Sequence, residues 1–303
     1  MKIIKQFLIL VSVSLLLSSC GDPVQERIEQ LEPVIGKQID TLNKKLDKRE
    51  LRNAIILETY IKKMYEIKPD LKELLDNLKK EIEPNNSRIK DYKKRLDVVK
   101  GNPKSLGRKE DVLSELASLS SATNHEIYND SLIDLINTTA DLSDGQLTRL
   151  NIKRKKTDDK TNGPGSHLVG NSRYGSWQNR NGQSFWVWYG QYRLFSDLLW
   201  PRPYYYHSWH YNRPWSYHND YGRNIYGSRS ERQSHSSVAS KNDRKVKEYG
   251  KKTGRSHSSY AKKSNSNFKP SSATKSASSS RSKSNYGSSH RKSSRSRSRF
   301  GGK

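Results

Sequence analysis

"VQERIEQLEPVIGKQIDTLNKKL", Val24 to Leu46, decides the fold. Its apolar residues Val24, Ile28, Leu31, Ile35, Ile39, Leu42 and Leu46 step by three or four, which paints one stripe along a helix and leaves the charges on the other side. The same step recurs in Leu71, Leu74, Leu75, Leu78 and Ile82, and again in Ile89, Tyr92, Leu96 and Val99. Shorter series follow, first Val112, Leu113, Leu116 and Leu119, then Ile127, Leu132, Leu135 and Ile136. Pro69, Pro84 and Pro103 fall between the series, where the ring and the missing amide stop or start helices. Thr123-Asn124-His125-Glu126 reads as a capping box. The spacing therefore predicts a mainly α protein whose residues 20–150 form an antiparallel bundle of five or six helices. An extended coiled coil competes for the opening stretch, which is nearly heptad-spaced. Pro33 and Gly36 inside it weigh against a long uninterrupted seam.

Before the bundle the chain opens with Lys2 and Lys5, an apolar run from Phe7 to Leu17, and the small residues Ser18 and Ser19 ahead of Cys20. That is the layout of a secretory signal over residues 1–19. The apolar run is well short of the roughly 20 residues that cross a bilayer. Leu17-Ser18-Ser19-Cys20 resembles the lipobox of bacterial lipoproteins, which implies that Cys20 is diacylated and becomes the first residue of the mature chain. A plain signal peptide with an incidental cysteine, or an uncleaved anchor, is the competing reading. Cys20 is the only cysteine, so no disulfide forms within one chain, and lipidation accounts for an otherwise odd thiol. By the same resemblance, Gly21 rather than an aspartate after the cysteine favours the outer over the inner membrane of a Gram-negative cell.

Charge divides the chain. Residues 21–150 hold 23 Lys/Arg and 24 Asp/Glu, whereas residues 151–303 hold 32 Lys/Arg and 7 Asp/Glu. The formal net charge of +26 thus belongs to the C-terminal half. Residues 151–173 lack an apolar period and gather Lys, Asp, Asn, Gly and Pro, which reads as a linker or surface loop. Residues 174–226 form an aromatic block, and all six tryptophans lie between Trp177 and Trp215. Residues 227–303 are Ser, Arg, Lys, Asn and Gly with few aliphatics; such a composition cannot offset its chain entropy by burial and predicts a disordered tail.

The aromatic block admits two local structures. Ser184 can cap a helix over 184–199 in which Phe185, Trp188, Tyr189, Tyr192, Phe195 and Leu199 share a face, ending before Pro201. Alternatively Arg180-Asn181-Gly182-Gln183 is a type I′ turn that sets Trp177 against Trp186 and Tyr174 against Tyr189. The helix is the preferred reading, packed on the bundle rather than at a membrane interface. The following "RPYYYHSWHYNRPW", Arg202 to Trp215, alternates aromatic and Arg side chains in a Pro-broken segment, a composition suited to stacking and cation–π contacts. Trp186, Trp188, Arg202, Trp209, Arg213 and Trp215, with Arg295, Arg297 and Arg299 of the tail, are the expected contacts to a polyanion or a partner protein.

Catalytic patterns are absent or broken. His125-Glu126-Ile127-Tyr128-Asn129 begins like a helical zinc-protease motif but has Asn129 in place of the second histidine. Gly101 to Lys109 follows a helix and has Arg108 where a phosphate loop needs lysine. His207, His210 and His218 are weak metal candidates, with Asp220 the only nearby carboxylate. The reading is a protein without cofactor or reaction. Its basic tail would attract anionic envelope polymers or lipids, at about 1 kcal/mol per Lys/Arg near an anionic membrane. Nucleic acid is physically possible for any polycation, but an exported chain meets little of it outside extracellular DNA.

"HLVGNSRYGSW", His167 to Trp177, and "SFWVWYGQY", Ser184 to Tyr192, together with the Ser/Arg-rich end, resemble a group of uncharacterised Gram-negative lipoproteins with a helical N-terminal region, an aromatic middle and a basic low-complexity tail. The resemblance implies an envelope location and this architecture, and adds no catalytic residue.

Overall fold

The computed structural model describes residues 22–153 and 162–254. The protein is mainly helical with one two-stranded sheet. Helix α1 (Pro23–Asp47) starts where the Asp22 carboxylate accepts from the Val24 and Gln25 amides, with Pro23 in the first turn. It buries Ile28, Ile35, Ile39, Leu42 and Leu46, the stripe read from the sequence. Pro33 does not interrupt it. The ring is exposed, so the carbonyl it leaves unpaired faces water. Helices α2 (Arg52–Ile67), α3 (Lys72–Lys79), α4 (Ser87–Gly101) and α5 (Lys109–Thr123) follow, then α6 (His125–Ser131) and α7 (Ile133–Leu142). This compact bundle, rather than an extended coiled coil, has seven α-helical stretches among the described residues because Asn124 and Leu132 divide its last part.

Long-range pairs fix the directions. Lys109 meets Asp22 at 2.9 Å, and Thr123 Oγ1 donates to Gln38 at 3.0 Å, so α1 and α5 run parallel. Helix α4 runs antiparallel to α5, its Arg95 reaching Glu115 at 2.7 Å. Asn124 alone caps α6, accepting from the Glu126 and Ile127 amides; Thr123 instead bonds back to Leu119 within α5. Asn129, in the position of the missing zinc ligand, joins α6 to α2 by accepting from the Asn53 amide and side chain at 2.8 Å. All ten residues of α7 are buried, which makes it the central rod of the body.

The stretch 151–173 is not a linker where it is described. Ser166 to Val169 are buried, the chain folding through consecutive turns from Gly163 to Tyr174. Gly165 has φ +84°, and a Cβ there would meet the Phe195 ring at 2.7 Å. The Gly and Asn residues that suggested a loose segment are the ones that let it turn tightly in the core. Residues 154–161 lie outside the described residues.

The expected helix over 184–199 is a hairpin. Strands β1 (Gly175–Arg180) and β2 (Gln183–Trp188) pair antiparallel, with Trp177 opposite Trp186, and the Tyr189 amide donates to the Tyr174 carbonyl. Asn181 and Gly182 both have positive φ, 51° and 69°, as the type I′ turn requires. The period of two wins because Ser184, Trp186 and Trp188 bury on one side while Val187 and Tyr189 stay out. Of the expected helix a 3₁₀ turn, Gly190–Tyr192, and one π-helical turn, Phe195–Leu199, remain. Two short helices, α8 (Tyr206–Asn212) and α9 (Tyr217–Asp220), complete the aromatic layer, which shares one continuous core with the bundle.

The tail also begins later than expected. Residues Arg229–Thr253 form helix α10, opened by a Ser228–Glu231 capping box and closed by Gly254 in the left-handed region. It touches the body through Asn242, Val246 and Gly250, a single stripe at intervals of four, and through polar ties: Arg229 to Asp111 at 2.9 Å, Arg232 to Glu115 at 2.8 Å and Asn242 to Ser184 at 2.8 Å. Lys245 donates to the Gly182 carbonyl at the hairpin turn. Composition argued for disorder because most of these stabilising contacts are polar or long-range. Cys20 and residues 255–303 lie outside the described residues.

Candidate functional site

The aromatic contacts expected at the surface are mostly internal. Trp186, Trp188, Trp209 and Trp215 are between 3 % and 8 % exposed, which corrects their assignment as polyanion or partner contacts. Trp177 gathers Trp186, Tyr206 and Trp209 around it, with ring centroids 5.0–5.2 Å away. Trp188 lies on Phe195 at 4.8 Å, and Trp215 packs with Ile133 and Tyr217. Arg213 is buried too, its guanidinium bidentate on Asp220 at 2.7 and 3.1 Å and over the Trp209 ring. Alternating aromatic and Arg side chains thus satisfy one another. Arg202 alone of this set is exposed, its guanidinium over Trp200. Arg295, Arg297 and Arg299 fall outside the described residues.

The three histidines are not brought together as a metal site, and among the described residues no group of three or more His, Cys, Asp or Glu side chains could hold a metal ion. His207 packs on Tyr249, His210 on Tyr206 and Tyr211, and His218 is buried in α9.

What the fold does build is a polar cavity of about 130 Å³ where the bundle meets the aromatic layer. Helix α4 brings Arg88, Asp91 and Tyr92 to it at helical spacing, α9 brings Tyr217 and His218, the turn before β1 brings Arg173, and the first turn of α10 brings Glu231. Arg88 donates to Glu81 at 2.9 Å, Ser131 at 2.6 Å and the Tyr174 hydroxyl at 3.2 Å. Arg173 donates to the same Glu81 oxygen at 2.9 Å and to Ser87 at 2.8 Å. Burial alone would raise the Glu81 carboxyl, but Arg173 and Arg88 overcome it and hold the group below its ordinary range.

No family model, curated protein or solved structure matches this chain.

The rest of the cavity wall is less well compensated. Burial pushes the Asp91 carboxyl up, with Arg95 offsetting only part of the effect. Burial, with like charge from His235, Arg223 and Arg88, holds His218 well below the ordinary histidine value, so its ring is neutral. The Tyr92 hydroxyl and His218 Nδ1 are buried without a partner. A weak sequence signal for this site existed. Arg88, Asp91 and Arg95 flank the apolar stripe of α4 closely enough to share its inward side, and charged residues there must meet partners from elsewhere.

A second polar feature is the outer side of α10. Lys241, Arg244, Lys247, Lys251 and Lys252 are exposed, with Asp243 and Glu248 as the nearby acids on the same helix.

Proposed function

We propose that this protein is a lipid-anchored, non-enzymatic component of a Gram-negative envelope that holds anionic envelope material, polymer or lipid head group, by its basic C-terminal segment. Charge distribution carries the reading: beyond Gly254 the chain has 13 Lys/Arg and no Asp/Glu. Helix α10 is the mount. Its 25 residues span about 37 Å at 1.5 Å per residue, with the first turn tied to α5 and the remainder laid past the hairpin turn. The aromatic block serves as the foundation for that helix, so the exposed Lys and Arg of α10 and the residues after it make the contact, together with Arg202 at the rim.

Attachment rests on Cys20. No helix among the described residues is long and apolar enough to cross a membrane, and two or three acyl chains at about 0.8 kcal/mol per buried methylene give firm attachment. The Gly21 that follows supports outer-membrane sorting. Resemblance to the group of lipoproteins described above belongs to this proposal as well.

Retention of the purified mature chain on anionic liposomes, lipopolysaccharide and isolated cell wall at low salt tests the reading. Deleting residues 255–303, which leaves α10 in place, is expected to abolish most retention, and added salt to weaken it steeply in the full chain. Unchanged retention after the deletion overturns it. A Cys20→Ser chain is expected in the soluble fraction of the cell; recovery with the membranes removes the anchor from the proposal.

A further inference from the structure

The cavity between α4, α9 and the first turn of α10 carries acceptors that nothing in the protein fills. Tyr92 is 2 % exposed and His218 8 %, yet the Tyr92 hydroxyl and His218 Nδ1 have no hydrogen-bond partner. Buried polar atoms are almost always paired. The His218 ring is neutral, and in the tautomer protonated on Nε2 its Nδ1 presents a lone pair. Asp91, one residue before Tyr92 on the same wall, takes part in no hydrogen bond with the described residues. Across the cavity Arg173 engages Glu81 through Nε and Ser87 through Nη2, which leaves Nη1 unengaged.

We infer that this cavity binds a small amino-acid zwitterion, whose ammonium group is received by Asp91, the Tyr92 hydroxyl and His218 Nδ1 and whose carboxylate meets Arg173. A lone anion would meet Asp91 and Glu231. A neutral polyol would leave the Asp91 charge uncompensated, and a simple amine would leave Arg173 without a counterpart. The tyrosine rings of the wall suit an ammonium group as well, since a cation is attracted to an aromatic face. Size sets the selectivity. The cavity's 130 Å³ is a little less than the about 150 Å³ that holds benzene, which admits glycine, alanine or serine and is too small for phenylalanine, whose amino-acid backbone adds to such a ring.

Calorimetric or NMR titration of the full mature chain tests this, with glycine and alanine as probes and ethylamine, acetate and phenylalanine as controls. Glycine and alanine are expected to bind; ethylamine and acetate, each lacking one charged contact, bind at least about tenfold more weakly, and phenylalanine, excluded by size, is held at least as weakly. Asp91→Asn is expected to weaken alanine binding by about tenfold or more while the melting temperature stays level or rises, because an uncompensated carboxylate is removed. Should that variant melt early, Tyr92→Phe, which keeps the ring, carries the test through a smaller loss. Absence of glycine and alanine binding at millimolar concentration, acetate binding as tightly as alanine, or undiminished binding to a folded Asp91→Asn or Tyr92→Phe chain overturns the inference. Deleting residues 255–303 leaves this binding intact, so it stands or falls apart from polyanion retention.

Discussion

The bundle up to Leu142 and the layer from Gly163 to Gly254 share one core and are built on opposite plans. The bundle buries aliphatic stripes such as Ile35, Ile39 and Leu42 of α1, each set by the spacing within one helix. The aromatic layer buries rings that meet across a hairpin, a π-helical turn and two short helices, with Trp177 in contact with rings from β2 and α8. Where the two plans join, charge takes over: Glu81 is shared by Arg88 of the bundle and Arg173 of the layer, and Glu115 by Arg95 and Arg232. The lesson is that local periodicity specifies the first region, whereas the second needs the first as a template.

The largest expected effect breaks that junction. Glu81→Ala strands the buried guanidinium of Arg88 and the half-buried one of Arg173, and loss of one partner from a buried ion pair costs about 3–5 kcal/mol; urea denaturation of the variant reads it directly. Next come paired core truncations, Trp186→Ala in the layer at about 3–5 kcal/mol and Leu42→Ala in the bundle at about 2–5 kcal/mol. With one continuous core, each is expected to move the far-UV and near-UV circular dichroism transitions together. Separate transitions would show that the regions fold independently and dissolve the template relation.

Acid sharpens the comparison further, since the buried histidines belong to the layer and to α10. Burial, with Arg223 and Arg213 nearby, pushes His235 down to about 3. A depressed pKa contributes stability that is complete above the unfolded value near 6.5 and is lost as pH falls toward the folded value. Asp134, pushed up to about 6 by burial, works in the opposite sense, so the difference between variants is the informative quantity. Between pH 6.5 and pH 5 the parent is expected to lose about 2 kcal/mol relative to His235→Gln, measured by denaturation at each pH. The smallest effect is local. Gly182→Ala at φ +69° is expected to cost about 1 kcal/mol and to loosen the hairpin turn beneath Lys245, seen as faster amide exchange there.

How much of this was legible follows from the same contrast. Helical spacing found the bundle and its core, because residues three or four apart in one helix bury together whatever lies opposite. The block from Ser184 to Trp200 supports both a period of 3.6 and a period of 2, and nothing within it chooses between them. The choice lies in Asn181-Gly182, whose positive φ values close the turn, and in the Trp177–Trp186 pair. Ser228-x-x-Glu231 was readable as a helix start, but the helix after it has few apolar residues and is held by Asp111, Glu115 and Ser184, more than fifty positions back. The cavity was hidden for a related reason. Asp91 and Tyr92 come from one helix of the bundle, whereas Arg173 and His218 reach it from the layer, and no pattern within a single element joins them.

The carboxylates of Glu81, Glu115 and Asp134 bear on the order of events during biogenesis. A chain made from its N-terminus delivers the bundle first, and Asp134 then has none of its later partners, the amides of Tyr217 and His218 and the Ser216 hydroxyl. Arg173 and Arg232 arrive later as well. Until some eighty to a hundred further residues have followed, the bundle holds Asp134 without those partners and Glu81 and Glu115 with one arginine each, Arg88 and Arg95. Helix α10 then supplies Arg229 to Asp111 and Arg232 to Glu115, so a chain stopped short of it leaves both carboxylates without these counter-charges.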